Sequence, residues 1–272
     1  MKIVAIDLDG TLLHSDCTIS SYSKEVIAEA VKNGIMVVPT SGRSFRSIKK
    51  QVQGIEGVKY CICANGTLVG NLQTEELIHN CKIPQHIAYD IYKEVKERHG
   101  FIELYCDNDA YVEKDAVPVI YDTKMGKDFG DSLLSTDIIG LSYDLLLRRG
   151  IMRINKIHVA FPDPQELREF AVKTAENKEL VVTFPSEYNM EIFPKGCNKD
   201  VGIRILAEKY NIAHEDTIAI GDSDNDVAMI EYAHVGIAVA NAMEVLKEKA
   251  NYITKSNDED GPAIVLKKIL EK

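Results

Sequence analysis

The chain has 272 residues, 45% of them hydrophobic and 27% charged, which is enough to bury a large core and more than one compact unit usually holds. A formal charge of −10 and a pI near 5.3 argue against nucleic acid as the main partner, because phosphate backbones are held by clustered Lys and Arg. No stretch approaches the roughly 18 consecutive apolar residues of a membrane helix, and no secretory apolar core follows Met1. A cytoplasmic protein with no membrane partner is expected.

In chain order, Lys2-Ile-Val-Ala-Ile6 is a short β-branched run that ends in Asp7 and reads as a strand buried on both faces. Residues 20 to 33 read as an amphipathic helix stopped by Asn33-Gly34, and Ile35 to Val38 as a second buried strand. This is a βαβ unit, which calls for a right-handed crossover and a parallel sheet. A helix over Ser44 to Gln53, a strand over Tyr60 to Cys63, the turn Asn65-Gly66 and short alternating segments follow, as far as about His79.

The alternation returns late, with a helix over 198 to 210, a strand over 216 to 220, a helix over 224 to 232, a strand over 235 to 239, and helices near 243 to 250 and 261 to 271. The two ends of the chain are therefore expected to form one core, residues 1–83 plus 189–272, interrupted by an α+β domain at 84–188. In that insert Pro84 opens a helix with Ile87, Ile91 and Val95 at helical spacing. Strands are predicted at 101 to 105, 110 to 113, 154 to 160 and 179 to 184, with a helix between Phe161-Pro-Asp-Pro164 and Asn177.

The cysteines Cys17, Cys61, Cys63, Cys81, Cys106 and Cys197 are scattered and few for the chain length, so reduced thiols are expected. Cys61-x-Cys63 lies in an apolar strand without a second pair nearby, and reads as core rather than as a metal ligand pair.

Acidic residues mark two strand ends. Asp7-Leu-Asp-Gly-Thr11 places Asp7 and Asp9 two apart after the first strand, where both can point into one crevice, and Gly10 lets the backbone bend closely around a bound group. Gly221-Asp-Ser-Asp-Asn-Asp226 follows another apolar strand, and its three acids repel one another unless a cation intervenes. Oxygen ligands favour Mg²⁺ over zinc. The series Asp222, Asp224, Asp226 opens like a calcium loop but lacks Gly at its sixth position and Glu at its twelfth. Thr40-Ser-Gly-Arg43, between a strand and a helix, offers donors to a phosphate oxygen, although a helix cap at Ser41 or Ser44 explains it equally well. Lys199 starts a helix after Pro194-Lys-Gly196, a place where a lone lysine is usually exposed.

Taken in order, these segments resemble the haloacid dehalogenase superfamily, and within it the Cof-type phosphatases with a C2B-type cap. The first motif matches Asp7-Leu-Asp-Gly-Thr-Leu-Leu13 and the last Gly221-Asp-Ser-Asp-Asn-Asp226, with Asn257-Asp-Glu-Asp-Gly261 also similar. Ser41 stands where the family commonly has threonine, and Asp200 where glycine usually follows the motif lysine. Asp200 either serves the helix dipole or pairs with Lys199 and weakens phosphate binding.

The resemblance implies a Rossmann-like, doubly wound α/β core with an inserted α+β cap, and hydrolysis of a small phosphorylated metabolite through an aspartyl-phosphate. Asp7 is then the nucleophile and Asp9 the general acid and base, with Mg²⁺ held by Asp7, the Asp9 backbone carbonyl, Asp222 and Asp226, the last as ligand or as orienting group. Leu8, Ser41, Gly42, Arg43, Lys199 and Asn225 are the implied phosphate contacts. The cap selects the substrate, with sugar phosphates foremost and pyridoxal phosphate or flavin mononucleotide also compatible. Glu103, Tyr105, Asp107, Asn108 and Tyr188 are candidates there, though each reads first as an ordinary polar residue facing solvent. The chain is expected to act as a monomer or small homo-oligomer. Two alternatives use the same residues: a phosphomutase, and a sensor that binds a phosphorylated ligand without turnover, against which the pairing of Asp7 with Asp9 counts.

Overall fold

The computed structural model describes residues 1–124 and 126–271, so Met125, inside the expected insert, and Lys272 lie outside the described residues. The chain divides into two compact units, Met1–His79 with Asn198–Lys272, and Asn80–Cys197.

The first half of the first unit runs β1 (Ile3–Asp7), α1 (Ser21–Lys32), β2 (Met36–Thr40), α2 (Phe45–Gln51), β3 (Tyr60–Cys63), β4 (Leu68–Asn71) and β5 (Leu77–Asn80). Every residue of β1 is buried, as its unbroken apolar run requires, and full burial of an Ile side chain is worth about 1.5–3 kcal/mol. Ser20 caps α1 by accepting from the Ser23 amide at 2.9 Å, and the chain turns out of α1 through Gly34 at φ +82. Cys61 and Cys63 are wholly buried in β3, in keeping with core packing.

The second unit runs α3 (Gln85–Glu97), β6 (Phe101–Cys106), β7 (Asp109–Glu113), α4 (Val117–Asp122), α5 (Lys127–Leu134), β8 (Ile138–Gly140), α6 (Asp144–Arg148), β9 (Lys156–Ala160), α7 (Pro164–Ala175), β10 (Leu180–Ser186) and β11 (Asn189–Pro194). Its sheet has the order β10-β11-β9-β6-β7-β8, antiparallel except between β7 and β8. One face packs Ile102, Leu104, Ile157, Val159, Met190 and Ile192 with the apolar sides of α3 and α7. Alternation then sends the neighbouring polar residues to the other face, where His158 lies between Glu103 and Glu191 in register. Glu103 and Tyr105 are therefore not surface residues. Both are buried, with Glu103 bonded to His158 at 2.8 Å, and Lys156 stands 4.0 Å from the Tyr105 ring centroid. Asp107 is exposed but held by Lys82 at 2.6 Å.

The strand β11, absent from the sequence reading, pairs with both β9 and β10, so the unit extends to Cys197 instead of ending at Tyr188. The returning chain adds α8 (Lys199–Tyr210), β12 (Thr217–Gly221), α9 (Val227–Tyr232), β13 (Val235–Ala238), α10 (Glu244–Lys249), β14 (Tyr252–Ile253) and α11 (Gly261–Leu270). The core sheet has the order β14-β13-β12-β1-β2-β3-β4-β5 and is parallel from β14 to β3. Because β1 sits between β12 and β2, the loops after these three strands leave the same edge of the sheet, on either side of a topological switch. Among the described residues no helix is long and apolar enough to cross a membrane.

Candidate active site

Asp7 ends β1 and is 3% exposed. The chain then turns through Leu8–Leu12, with Gly10 at φ +76, a conformation L side chains rarely adopt. A Cβ on Gly10 would stand 2.6 Å from Asp222 Oδ2, so glycine is what lets the Asp222 carboxylate lie against this turn. Thr11 donates to Asp222 Oδ1 at 3.1 Å, and Asn241 donates to the Gly10 carbonyl at 2.8 Å, fixing the turn from two sides.

Lys199, whose position alone suggests exposure and which the resemblance makes a phosphate contact, is buried, its side chain 1% exposed. Its ammonium donates to Asp7 Oδ1 at 2.7 Å, Asp226 Oδ1 at 2.6 Å and Asn225 Oδ1 at 3.1 Å. Asp200 turns away and pairs with Arg204 at 2.9 Å, one helical turn on, leaving Lys199 to the acids. Burial opposes the Lys199 charge, but Asp226 and Asp7 outweigh it and hold the lysine protonated, far above its ordinary range.

Oxygen atoms of Asp7, Asp222 and Asp226 lie within 4.8 Å of one another. Burial first, then the Asp226 charge, pushes the Asp7 carboxyl well above the usual range, and burial with Asp226 raises Asp222 to about 6. Three carboxylates and one ammonium leave an excess of negative charge in a buried place. Asp7 Oδ2 is buried and has no hydrogen-bond partner among the described residues, a place that suits a cation. The all-oxygen donor set suits a hard divalent ion. Asp226 differs from its neighbours: Oδ2 accepts from the Asp222 and Ser223 amides at 2.9 and 3.1 Å while Oδ1 takes Lys199, a pattern suited to orienting the loop.

Asp9 lies apart from these three. Arg43 Nε donates to its Oδ2 at 2.8 Å and Nη2 to its Oδ1 at 2.6 Å, and Ser41 Oγ stands 3.4 Å from Oδ2. Of the two candidate caps, Ser44 holds the α2 terminus by accepting from Ser47, while Ser41 faces Asp9. Arg43, expected beside the phosphate, is thus engaged by a carboxylate.

One element of the site escaped the sequence reading. The Asn65-Gly66 turn after β3 backs the start of α8: Gly66 has φ +91, and a Cβ there would fall 2.0 Å from the Asn198 carbonyl oxygen. Asn65, in the left-handed region at φ 57, accepts from Asn225 at 3.4 Å. The available signal was a turn-forming pair at the end of a core strand.

Residues 4–266 match the family model of the haloacid dehalogenase-like hydrolases. A 5-amino-6-(5-phospho-D-ribitylamino)uracil phosphatase of Bacillus subtilis strain 168, YcsE, is 30% identical over 97% of this chain and 93% of that protein. A second protein of that name and organism, YwtE, is 29% identical over 99% and 98% of the two chains. The crystal structure of a haloacid dehalogenase-like hydrolase from Bacteroides thetaiotaomicron, 27% identical, superposes with a TM-score of 0.85 over 98% of this chain and 99% of the other. The chain therefore belongs to the haloacid dehalogenase-like hydrolases, in their Cof-type branch, and is an enzyme of the phosphoric monoester hydrolase class.

Proposed function

We propose that the protein is a Mg²⁺-dependent phosphatase that cleaves a small phosphorylated metabolite, with Asp7 as nucleophile. The observation that carries this reading is the Asp7 carboxylate: Oδ1 is fixed by Lys199 while buried Oδ2 has no partner among the described residues, at the end of a fully buried strand. Asp7, Asp222 and the Asp9 backbone carbonyl would hold Mg²⁺, with Asp226 orienting the loop. Bound there, the ion supplies positive charge that offsets the carboxylates and the incoming phosphate dianion.

Asp7 Oδ2 attacks phosphorus, the bond from phosphorus to the ester oxygen breaks, and the phosphoryl group rests on Asp7. Lys199, the Ser41 hydroxyl, the Gly42 and Leu8 amides and Asn225 hold the phosphoryl oxygens through the transfer, where stabilising the spread charge is the main task. Once Arg43 lets go and Asp9 takes up a proton from solvent, Asp9 gives that proton to the leaving oxygen and then takes one from the water that cleaves the aspartyl-phosphate. Arg43 orients Asp9, and can reach a substrate phosphate only by releasing it. The unit Asn80–Cys197 selects the leaving group.

A sugar or sugar-alcohol phosphate is the foremost substrate class, supported by the ribityl phosphate for which two relatives are named. Pyridoxal phosphate and flavin mononucleotide belong in the same screen. A cytoplasmic setting is part of the proposal, since cysteines held as thiols, such as Cys17 and Cys61, suit a reducing compartment. The test is phosphate release across such a panel with and without Mg²⁺, for the wild type and Asp7→Asn. Metal-dependent turnover that the substitution abolishes is expected, and undiminished turnover in Asp7→Asn would refute the assignment.

A further inference from the structure

Two cysteines that the proposed reaction does not use meet within the second unit. Cys81 directly follows β5, and Cys197 closes the turn after β11. Their Sγ atoms lie within 4.8 Å of each other, and both are free thiols. Packing inside this one unit fixes both backbones. The Cys81 carbonyl accepts from the buried Asn155 side chain at 2.6 Å, and the Cys197 amide donates to the Pro194 carbonyl at 3.2 Å in a turn with Gly196 at φ +82.

Their surroundings differ. Cys197 is 4% exposed, whereas Cys81 is half-buried. Burial, and then the contact with Cys81, pushes the Cys197 thiol far above its ordinary range, so Cys197 keeps its proton and Cys81 is the sulfur an oxidant in solution meets first.

We propose that Cys81 and Cys197 are a redox-sensitive pair that closes to a disulfide under peroxide and thereby slows turnover. Cys81, as thiolate, attacks one peroxide oxygen. The O–O bond breaks, Cys81 becomes a sulfenic acid, and the other oxygen takes up a proton and leaves as water. Cys197 Sγ then attacks Cys81 Sγ, the S–O bond breaks as the S–S bond forms, and a second water carries off the Cys197 proton. The two sulfurs lose two electrons in all, and one peroxide becomes two waters.

The effect reaches the site along the chain. Cys197 lies two residues before Lys199, and the Asn198 carbonyl between them is the atom that Gly66 packs against. Drawing the Cys197 sulfur from contact to covalent distance pulls on the first turn of α8, and with it the ammonium bonded to Asp7 and Asp226. The slowing rests on the phosphate-holding role proposed above for Lys199. The disulfide does not.

The test uses the full chain carrying Cys17→Ser, which removes the exposed thiol. After hydrogen peroxide, Cys81 and Cys197 should resist alkylation and their peptides should run joined. Phosphate release should fall by about tenfold or more, and dithiothreitol should restore both. Cys197→Ser should leave Cys81 as a dimedone-reactive sulfenic acid, and Cys81→Ser should make turnover insensitive to peroxide. Full alkylation of both thiols after peroxide, or joined peptides with unchanged turnover, overturns the proposal. A chain that never releases phosphate contradicts the function proposed above, and the alkylation pattern still decides whether the pair closes.

Discussion

Arg43 grips Asp9 with both sides of its fork, Nε to Oδ2 at 2.8 Å and Nη2 to Oδ1 at 2.6 Å. Burial works against the Asp9 charge, yet the hydrogen bonds and charge of Arg43 outweigh it and hold the carboxyl below its ordinary range. While so held Asp9 is a carboxylate, positioned to accept a proton from water, and the guanidinium must let go before Asp9 can give one. A lysine keeps the charge but cannot make the paired contact. Arg43→Lys is expected to lower kcat by about ten- to a hundredfold with a smaller change in KM. A rise in KM at constant kcat would instead assign Arg43 to substrate binding.

Gly10 and Asp222 form a second tight relationship, since any Cβ at position 10 meets the Asp222 carboxylate at 2.6 Å. Gly10→Ala should displace that carboxylate while leaving the buried strand before it intact. The Mg²⁺ concentration for half-maximal activity should rise by about ten- to a hundredfold, with circular dichroism unchanged. An unaltered metal requirement would remove Asp222 from the ligand set.

Much of the core was legible because strand ends there are marked twice, by an unbroken apolar run and by the acids that follow it. Ile3 to Ile6 before Asp7, and Ile218 to Ile220 before Asp222, could be read without any knowledge of neighbours. Lys199 stood out only through the family resemblance, because its burial is created by Asp7 and Asp226, which lie 192 and 27 residues away in sequence. The Arg43–Asp9 fork was hidden for the same reason. In the second unit, α4, α5, β8 and α6 passed unread. β8 keeps Ile138 and Ile139 exposed and α6 keeps Leu145 and Leu146 exposed, so neither shows a clean apolar period. The strand β11 was missed because Glu191 interrupts it, a charge that pairs with Lys156 at 2.5 Å.

The turn behind Lys199 gives a third prediction. Gly66→Ala would force a Cβ to within 2.0 Å of the Asn198 oxygen at a φ of +91, where backbone must move on both sides. A stability loss of at least about 2 kcal/mol is expected, together with loss of phosphate release that a higher substrate concentration does not recover. Wild-type stability and kinetics in Gly66→Ala would show that this turn does not set the start of α8.

Asp137, in the second unit, gives a prediction in pH. Its Oδ2 is buried without a partner among the described residues, and burial followed by the Glu103 charge raises its carboxyl to about 9. The native chain therefore holds a proton there that the unfolded chain releases above about pH 4. More protons bound to the folded state mean that stability falls as pH rises from about 4 to 9, then levels off. Asp137→Asn cannot ionise, so its thermal midpoint should match the wild type near pH 5 and exceed it by a few degrees near pH 8. Parallel pH profiles for the two proteins would show that Asp137 is ionised in the fold.

The most direct test of the account is to trap the phosphorylated carboxylate. Enzyme quenched in acid during turnover with Mg²⁺ and a hydrolysed sugar-alcohol phosphate is treated with borohydride, which reduces an acyl-phosphate to the alcohol. Peptide mass spectrometry should then find homoserine at position 7 in the wild type and no reduced residue in Asp7→Asn. Reduction at another carboxylate, or unimpaired phosphate release by Asp7→Asn, would contradict the account.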